Sequence, residues 1–405
     1  MARTIFRGGL VFDGTGAAPT AGDVVVDGGR IVDVGPPGLD GDEEVDCSGL
    51  VVLPGLFDCH THVTFSGDLD LQRRLAKPFS YRYYEAVGNL ERSLRIGLTT
   101  IREAGGADLG VKEAVERGLV VGPRMQISIA MLSQTGGHGD SHMPSGACFR
   151  WHHSYPGNPS GLVDGPDEMR KRVRELIREG ADVIKVATSG GVLSPRDDPK
   201  HGHFRSDELD VLVTEAAAAG MFVMAHAQAT DGIKAAVRAG IRSIEHGIYL
   251  DDEAIEMMLR AGTWLVPTLL APRAVLAAAA GGANVLEAAV RKTHEVLEVH
   301  TDSFARAVEA GVQVAMGTDS GVGPHGQNLD ELGLMVEYSA MTPLDAWTAT
   351  TKNAAQLLGV DDSLGTLERG KRADVVLLEG SFDDLEKLGS RVAGVWKDGV
   401  RAFAA

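Results

Sequence analysis

The chain has 405 residues, of which 44% are hydrophobic and 23% are charged, proportions typical of a soluble globular protein. Its formal net charge is -17 and its basic residues form no cluster, which argues against a phosphate-binding, nucleic-acid-binding surface. No apolar run approaches the roughly 18 residues of a membrane span.

Three cysteines are too few and too scattered for a disulfide framework, and the first residues lack the apolar segment of a signal peptide. We therefore expect a cytoplasmic protein with reduced thiols. Its expected partners are a small-molecule substrate and other copies of the chain in a homo-oligomer, with no nucleic acid and no membrane.

Short strands punctuated by glycine and aspartate occur at both ends of the chain. Residues 23–31 show this pattern near the amino terminus, and residues 373–378 repeat it near the carboxyl terminus. Alternating apolar residues between turn-forming residues are typical of antiparallel strands. The sequence therefore predicts one small composite β-sandwich domain that combines residues 1–57 with residues 359–405.

The middle of the chain, residues 58–358, alternates apolar runs with amphipathic segments. The eight apolar runs are 56–62, 98–103, 124–132, 182–188, 222–227, 243–247, 264–269 and 312–319. Helical patterns between them include 167–179, 206–219, 251–261 and 285–310. Strands that alternate with helices favour an α/β protein with a parallel (β/α)8 TIM barrel. The alternative is a doubly wound open sheet, but the glycine-rich dinucleotide turn that would support it does not follow the first run.

Polar side chains that can bind metals occur where several of these apolar runs end. His60 and His62 are two residues apart on the first predicted strand, so both imidazoles point to the same face. In a barrel, the carboxyl end of such a strand is where the chemistry takes place. By itself, the pair is as compatible with two hydrogen-bonded histidines as with a metal site.

Lys185 lies within the apolar run 182–187, where an unpaired ammonium group would be costly. One interpretation is a lysine paired with a buried carboxylate. The other is a neutral amine that adds carbon dioxide, because the resulting carbamate has two oxygens and can bridge two metal ions. The histidines on other strands favour the second interpretation.

His226, His246 and Asp319 each end a further apolar run. Two histidines on successive strands, opposite a His-x-His pair and a buried lysine, favour metal binding, and such nitrogen-rich ligands suit zinc. Asp319 could simply cap the segment that follows it. Its position at the end of the last run favours a carboxylate that contacts a metal ion and transfers the proton of the attacking water.

Four more segments strengthen a resemblance to a known family. Together with the six polar positions, residues 97–102, 135–139, 190–195 and 324–328 make the chain similar to the amidohydrolase superfamily. Within it, the chain resembles the Xaa-Pro dipeptidase, or prolidase-like, group, which is related to imidazolonepropionase. The resemblance covers nearly the whole chain, including the composite β domain.

This resemblance implies two divalent metal ions, which we expect to be zinc. One ion would be held by His60, His62, Lys185 and Asp319, and the other by Lys185, His226 and His246. Lys185 would be N6-carboxylated and would bridge the two ions.

The resemblance also suggests substrate contacts. It places His138 beside the substrate carbonyl, and we expect His325 and Asn328 at the rim of the pocket. Gln228 stands where some dipeptidases of this group carry a tyrosine near the scissile carbonyl. Arg196, in the loop after the fourth strand, is a candidate by location for binding a terminal carboxylate.

The long loop of residues 136–160 has no assigned role. It carries His142, Arg150, His152 and His153. We expect these side chains to be solvated, because a loop histidine is more often a solvated polar group than a catalyst.

The expected function is hydrolysis of an amide bond by a binuclear metal centre, and the expected enzyme is a dipeptidase acting on Xaa-Pro or N-acyl amino acids. A hydroxide bridging the two ions would attack, with Asp319 as general base and then general acid. Alternative substrates are a cyclic amide, a carbamate or an aryl-amide xenobiotic. A non-catalytic metal-binding barrel is a further alternative, which the presence of all six ligand positions disfavours.

Overall fold

The computed structural model describes residues 3–143, 145–148 and 154–404. Their strands are β1 (Thr4–Val11), β2 (Thr20–Asp27), β3 (Arg30–Gly35), β4 (Glu43–Asp46), β5 (Leu50–Pro54), β6 (Leu56–Thr61), β7 (Leu98–Glu103), β8 (Arg124–Ile127), β9 (Met131–Leu132), β10 (Ile184–Ala187), β11 (Val223–Ala227), β12 (Ser243–His246), β13 (Trp264–Val266), β14 (Val375–Glu379), β15 (Val392–Lys397) and β16 (Val400–Ala404). Their α-helices are α1 (Leu71–Ala76), α2 (Tyr81–Arg95), α3 (Leu109–Glu116), α4 (Gly165–Arg178), α5 (Ser206–Ala218), α6 (Thr230–Ala239), α7 (Asp252–Ala261), α8 (Leu270–Ala280), α9 (Glu287–Glu309), α10 (Asp330–Glu337), α11 (Pro343–Ala349) and α12 (Lys352–Leu358). Within this described part of the chain, none of the helices is both long enough and apolar enough to cross a bilayer.

Strands from both ends of the chain join in one sheet. Its order is β16-β15-β14-β5-β1-β2-β3, and β4 pairs with β1. The two ends meet where β5 runs antiparallel to β14, with Leu53 opposite Val376. Successive side chains along these strands point to opposite faces of the sheet. On one face, Leu53 and Val376 pack in the large hydrophobic core that includes the middle of the chain. On the other face, Val52 and Val375 pack in a separate core. The predicted union of the two ends is a single sheet here, and its sandwich form stays a prediction.

Parallel strands alternate with helices in the middle of the chain, as predicted. β6, β7 and β8 form one sheet, and β9 to β13 form another. Every residue of β6, β7 and β10 to β13 is buried, which is expected of parallel strands whose two faces are both covered. Helices α4, α5, α7 and α9 match the four predicted amphipathic segments to within a few residues.

One predicted strand, 124–132, is divided into β8 and β9. Between them, Ile129 has a φ of 66°, a left-handed conformation that a continuous strand cannot contain. β8 still contacts the segment before β10, because the amide of Asp182 donates to the carbonyl oxygen of Ile127 at 2.8 Å. The chain therefore bends between β8 and β9, while β8 stays hydrogen-bonded to the segment before β10.

The last predicted strand, 312–319, is irregular but hydrogen-bonded on both sides. The amide of Leu265 in β13 donates to the carbonyl oxygen of Gln313 at 2.8 Å. The amide of Asp319 donates to the carbonyl oxygen of His60 in β6 at 2.7 Å. Among the described residues of the middle of the chain, the regular strands thus form two parallel sheets, of five and three strands, and a single closed eight-stranded barrel stays a prediction.

Candidate metal centre and active site

A cavity opens where the parallel strands end. It encloses about 700 Å³, part of which is open to solvent. Its walls contain seven polar side chains that the sequence predicts, which are His60, His62, His138, Lys185, His226, His246 and Asp319. The structure therefore brings the six expected ligands and the expected catalytic histidine to one place.

His60, His62 and Asp319 form a compact group on one side of this cavity. Their ligand atoms all lie within 4.8 Å of one another. Asp319 Oδ1 lies 3.5 Å from His60 Nε2 and 3.2 Å from His62 Nε2. Burial alone would raise the pKa of the Asp319 carboxyl, but the two histidines hold it well below its usual range. An ionised carboxylate and two imidazoles are a ligand set that could hold a divalent cation.

Hydrogen bonds behind His60 and His62 occupy the Nδ1 atoms of both rings, and their Nε2 atoms face Asp319. His60 Nδ1 donates to Glu245 Oε2 at 2.8 Å, and His62 Nδ1 donates to the carbonyl oxygen of Gly105 at 2.7 Å. Because both partners are acceptors, each Nδ1 carries a proton, and Nε2 of the neutral ring has a lone pair. Burial lowers the pKa of His60 well below its usual value, which keeps that ring neutral. In His62, burial is outweighed by Asp319, which raises the pKa of the ring.

His226 and His246 have the same type of arrangement. His226 Nε2 donates to the carbonyl oxygen of Gly190 at 3.1 Å, which leaves Nδ1 available. His246 Nδ1 lies 2.7 Å from Thr268 Oγ1, which leaves Nε2. The two ring centres are 4.6 Å apart. Burial lowers the pKa of both rings, to about 3 for His246, and the neutral imidazole that results is the form that binds metals.

Lys185 lies among these histidines. Its side chain is 1% exposed, and Nζ is 3.4 Å from His60 Nε2. Burial lowers the pKa of Lys185 to about 8, although Glu245 and Asp319 raise it. A larger fraction of this amine is therefore neutral near physiological pH than in an exposed lysine.

Glu245 and Arg102 support the site but are missing from the predicted set. Arg102 Nη2 donates to Glu245 Oε1 at 2.9 Å, and the Ser243 hydroxyl donates to the same oxygen at 2.5 Å. The other Glu245 oxygen accepts from His60, so this carboxylate fixes the tautomer and orientation of a ligand ring. A charged residue inside an apolar run, the signal that identifies Lys185, also identifies both of these residues.

Three residues at the site have left-handed backbone conformations. The φ values are 73° at His246, 58° at Asp319 and 54° at Thr268. Each such conformation of a non-glycine residue costs on the order of 1–3 kcal/mol, which surrounding contacts must offset. Two of the three are expected ligands, so strain coincides with the positions proposed for chemistry.

His138 stacks on His226 and is held by the loop after β10. The two ring centres are 4.0 Å apart and the ring planes differ by 12°. His138 Nδ1 lies 2.9 Å from Ser194 Oγ and 3.5 Å from Asp197 Oδ2. Burial would raise the pKa of Asp197, but His138, Ser194 and Lys292 hold it well below its usual range. These contacts leave His138 Nε2 as the nitrogen that can meet a substrate.

Gly191 lets the same loop approach the two stacked rings. A Cβ atom at this position would clash with the His138 ring and lie 2.9 Å from His226 Cε1. A glycine is therefore required at this position for the loop to approach the two histidines closely. This requirement explains why the segment 190–195 contains Gly191.

The remaining predicted substrate contacts occupy different places. Gln228 is buried and lines a second cavity that adjoins the first. His325 and Asn328 are buried and are not among the described walls of either cavity, so their place at the pocket rim stays a prediction without a supporting contact. His325 Nε2 donates to the carbonyl oxygen of His62 at 3.2 Å, and Asn328 Nδ2 donates to the buried Asp58 carboxylate at 2.8 Å. Both side chains are buried because their polar groups support the segments that carry ligands.

Arg196 is exposed and does not belong to the described walls of either cavity. Its role in binding a carboxylate stays a prediction without a supporting contact. His142 is exposed, as expected for a solvated loop side chain. Arg150, His152 and His153 lie outside the described residues.

Comparisons with known proteins agree with this geometry. The chain matches the amidohydrolase family over residues 51–402. Ochratoxinase of Aspergillus niger is 36% identical over 365 residues, which cover 86% of this chain and 75% of that protein. The crystal structure of a Xaa-Pro dipeptidase with bound methionine superposes with a TM-score of 0.92 at 31% identity, over 100% of both chains. A prolidase complexed with N-methylphosphonate-L-proline superposes with a TM-score of 0.90 at 35% identity, over 100% of both chains. This chain therefore belongs to the amidohydrolase family and is a metal-dependent hydrolase of carbon–nitrogen bonds.

Proposed function

We propose that this enzyme uses two metal ions to hydrolyse an amide bond, and that it is a dipeptidase acting on Xaa-Pro or N-acyl amino acids. The observation that carries the proposal is the use of the ring nitrogens. Each of the four proposed ligand histidines has one ring nitrogen bonded to a partner outside the ligand set. The other nitrogens of His60 and His62 contact Lys185 and Asp319, which are proposed ligands themselves, and all six side chains line one cavity.

Two divalent cations fit this set of donors if Lys185 carries a carbamate. The carbamate would form when the neutral amine adds carbon dioxide and loses a proton. The first ion would be held by His60, His62 and Asp319, the second by His226 and His246, and both by the carbamate oxygens of Lys185. This mixture of imidazole and carboxylate ligands favours zinc.

The residues of the chain then perform the proton transfers of hydrolysis. When bound, the ions would acidify a water molecule and polarise the scissile carbonyl. Asp319 is ionised, so it can take a proton from the attacking water and return it to the departing nitrogen. This return matters because an amide nitrogen leaves poorly as an anion. His138, anchored at Nδ1, would use Nε2 to meet the carbonyl oxygen and stabilise its developing charge.

The same proposal includes the architecture that holds the site. Residues 58–358 would form a closed eight-stranded barrel, and residues 1–57 with 359–405 a composite β-sandwich domain. Support comes from the segment 312–319, which hydrogen-bonds to β13 on one side and to β6 on the other. The pairing of β5 with β14 supports the union of the two ends.

Aryl amides are a second candidate substrate class. Among the described residues that line the two adjoining cavities, Lys185 is the only lysine or arginine, and most other wall residues outside the ligand set are apolar. Such walls favour a substrate with apolar groups on both sides of the amide. The dipeptidase proposal is supported instead by the similarity to the Xaa-Pro dipeptidase and the prolidase.

Metal analysis combined with a substrate screen tests the proposal. Protein loaded with zinc should contain about two ions per chain, and labelled bicarbonate should give a carbamate signal in carbon NMR. The loaded enzyme should hydrolyse at least one member of a panel of Ala-Pro, Ala-Arg, N-acetyl amino acids and N-benzoyl amino acids. One ion per chain would overturn the binuclear site, and no turnover of any panel member would overturn the assigned reaction.

A further inference from the structure

A second cavity, which we call the side cavity, adjoins the metal site. It encloses about 450 Å³ and shares six wall residues with the first cavity. The shared residues are His138, Leu193, His226, His246, Asp319 and Val322. An amide bond held at the ligands would therefore place one of its two groups in each cavity.

The walls of the side cavity beyond this junction are mainly apolar. Val192, Ile248 and Val296 pack together as a small buried core cluster and line it on one side. Pro272 and Val275 of α8 line it as well. A concave apolar space of this kind suits a ring or a branched aliphatic group.

Besides Thr268, which contacts His246, two buried polar side chains, Gln228 and His300, interrupt this apolar lining. They are 5% and 1% exposed. Among the described residues, Gln228 Oε1 and His300 Nδ1 have no protein hydrogen-bond partner. Leaving a buried acceptor unpaired costs about 1–3 kcal/mol. Because both residues line the side cavity, a ligand group bound there could pair with these acceptors.

The hydrogen bonds of His300 define which kind of group that is. His300 Nε2 donates to the carbonyl oxygens of His246 at 3.0 Å and Pro267 at 2.9 Å. Because carbonyl oxygens only accept, Nε2 carries the proton, and Nδ1 of the neutral ring is an acceptor. Gln228 Oε1 is an acceptor as well. The matching ligand group is a hydrogen-bond donor.

We propose that the side cavity is a substrate subsite for a ring-sized apolar group that carries an O–H or N–H donor, such as a phenol, and that Gln228 Oε1 accepts from that donor. His300 Nδ1 is a second acceptor, for a group with two donor hydrogens. This inference rests on the proposed function, because it takes the ring to be one of the two groups joined by the scissile amide. A substrate that lacks the donor would leave the acceptors unpaired. Sites built to bind a hydroxyl discriminate strongly against analogues without it.

Paired substrates that differ by one hydroxyl test the subsite from either side of the amide. One pair is N-acetyl-tyrosine and N-acetyl-phenylalanine, and the other is N-(4-hydroxybenzoyl)-alanine and N-benzoyl-alanine. In one of the pairs, the hydroxylated member should have a kcat/KM at least about tenfold higher. Gln228→Leu should reduce that ratio towards one, whereas Gln313→Leu, at an exposed glutamine, should not. Equal kcat/KM values within both pairs would overturn the proposal.

A binding measurement separates this inference from the proposed function. Calorimetry with the native zinc enzyme should show p-cresol binding about tenfold more tightly than toluene, and Gln228→Leu should remove the difference. If no amide is cleaved but this preference is found, the proposed function is wrong and the subsite stands. If amides are cleaved but p-cresol and toluene bind equally, the subsite is wrong and the proposed function stands.

Discussion

Lys185 and Lys292 are both buried close to the same cavity, yet their surroundings differ. Their side chains belong to residues that are 1% and 4% exposed. Lys292 Nζ donates to three backbone oxygens of the loop after β10 and to the Asp197 carboxylate, at 2.5 to 3.1 Å. Lys185 Nζ has a longer contact, 3.4 Å, with His60 Nε2. The two buried lysines thus differ in the number of hydrogen-bond acceptors that surround each ammonium group.

The difference indicates what each lysine does. A buried ammonium that serves structure needs acceptors around it, and Lys292 has them. Near Lys185, the Glu245 carboxylate contacts His60, Arg102 and Ser243. The Asp319 carboxylate contacts His60 and His62, and both acids raise the lysine pKa only through space. A buried lysine left in this state is suited to covalent chemistry at its nitrogen. Substitution of Lys185 should therefore reduce activity and metal content, whereas substitution of Lys292 should mainly reduce stability.

Replacing Lys185 should have the largest effect on activity. Lys185→Ala should lose both metal ions and reduce kcat/KM by at least about a thousandfold, because the ions supply the nucleophile. Lys185→Arg should not restore either property, since a guanidinium group forms no carbamate bridge. The melting temperature should stay close to that of the metal-free native protein. Metal analysis and steady-state kinetics measure these changes, with Lys171→Ala, at an exposed lysine of α4, as the control.

Retention of two ions and substantial turnover by Lys185→Ala would contradict this prediction. It would place Lys185 with Lys292 as a structural residue.

Asp319→Asn should reduce kcat by about 100- to 10,000-fold while the fold is retained, because the amide cannot take up the proton of the attacking water. Part of this loss would reflect weaker ion binding, so the assay needs saturating zinc. Circular dichroism checks the fold, and kinetics at saturating zinc check the proton-transfer role. Turnover within about tenfold of native would remove Asp319 from that role.

Lys292→Met should act mainly on stability. It leaves the Asp197 carboxylate buried beside unpaired backbone oxygens, so the free energy of unfolding should fall by about 3 kcal/mol. Because Asp197 and Ser194 hold His138, kcat should also fall, by about tenfold. Metal content should not change. Urea denaturation measures the free energy of unfolding, with Lys171→Met as the control. A Lys292→Met variant that lost its metal ions but kept its stability would contradict the structural role of Lys292.

The sequence predicts that the six proposed ligands meet in one cavity, because each lies in an apolar run or at its end. The strand positions of His60, His226 and His246 require only period-two alternation and parallel strands, and all three reach one cavity. The irregular segment that carries Asp319 was predicted as a strand, and its ligand still arrives at the site. Its backbone bonds to β6 and β13 fix the position without a regular ladder.

The parts that sequence does not predict depend on contacts between distant residues. Lys292 is more than 90 residues from the loop it holds, and helical periodicity gives no reason to connect them. Helical periodicity also gives no indication that His300, on the same helix α9, lines the side cavity. The contact of Asn328 is hidden for the same reason, because its partner Asp58 is 270 residues away. Spacing locates side chains on elements, whereas packing of elements decides what those side chains touch.

Glu245→Gln should give the smallest effect and tests how far the surroundings of Lys185 are specialised for metal binding. The amide oxygen of glutamine can still accept from His60 Nδ1, but it carries no charge to fix the ring and strengthen it as a ligand. Zinc affinity should therefore fall by about 10- to 100-fold, while kcat at saturating zinc stays near the native value. Chelator competition measures the affinity, with Glu256→Gln, at an exposed glutamate of α7, as the control. Unchanged affinity would mean that Glu245 serves Arg102 as Asp197 serves Lys292, as the partner of a buried structural cation.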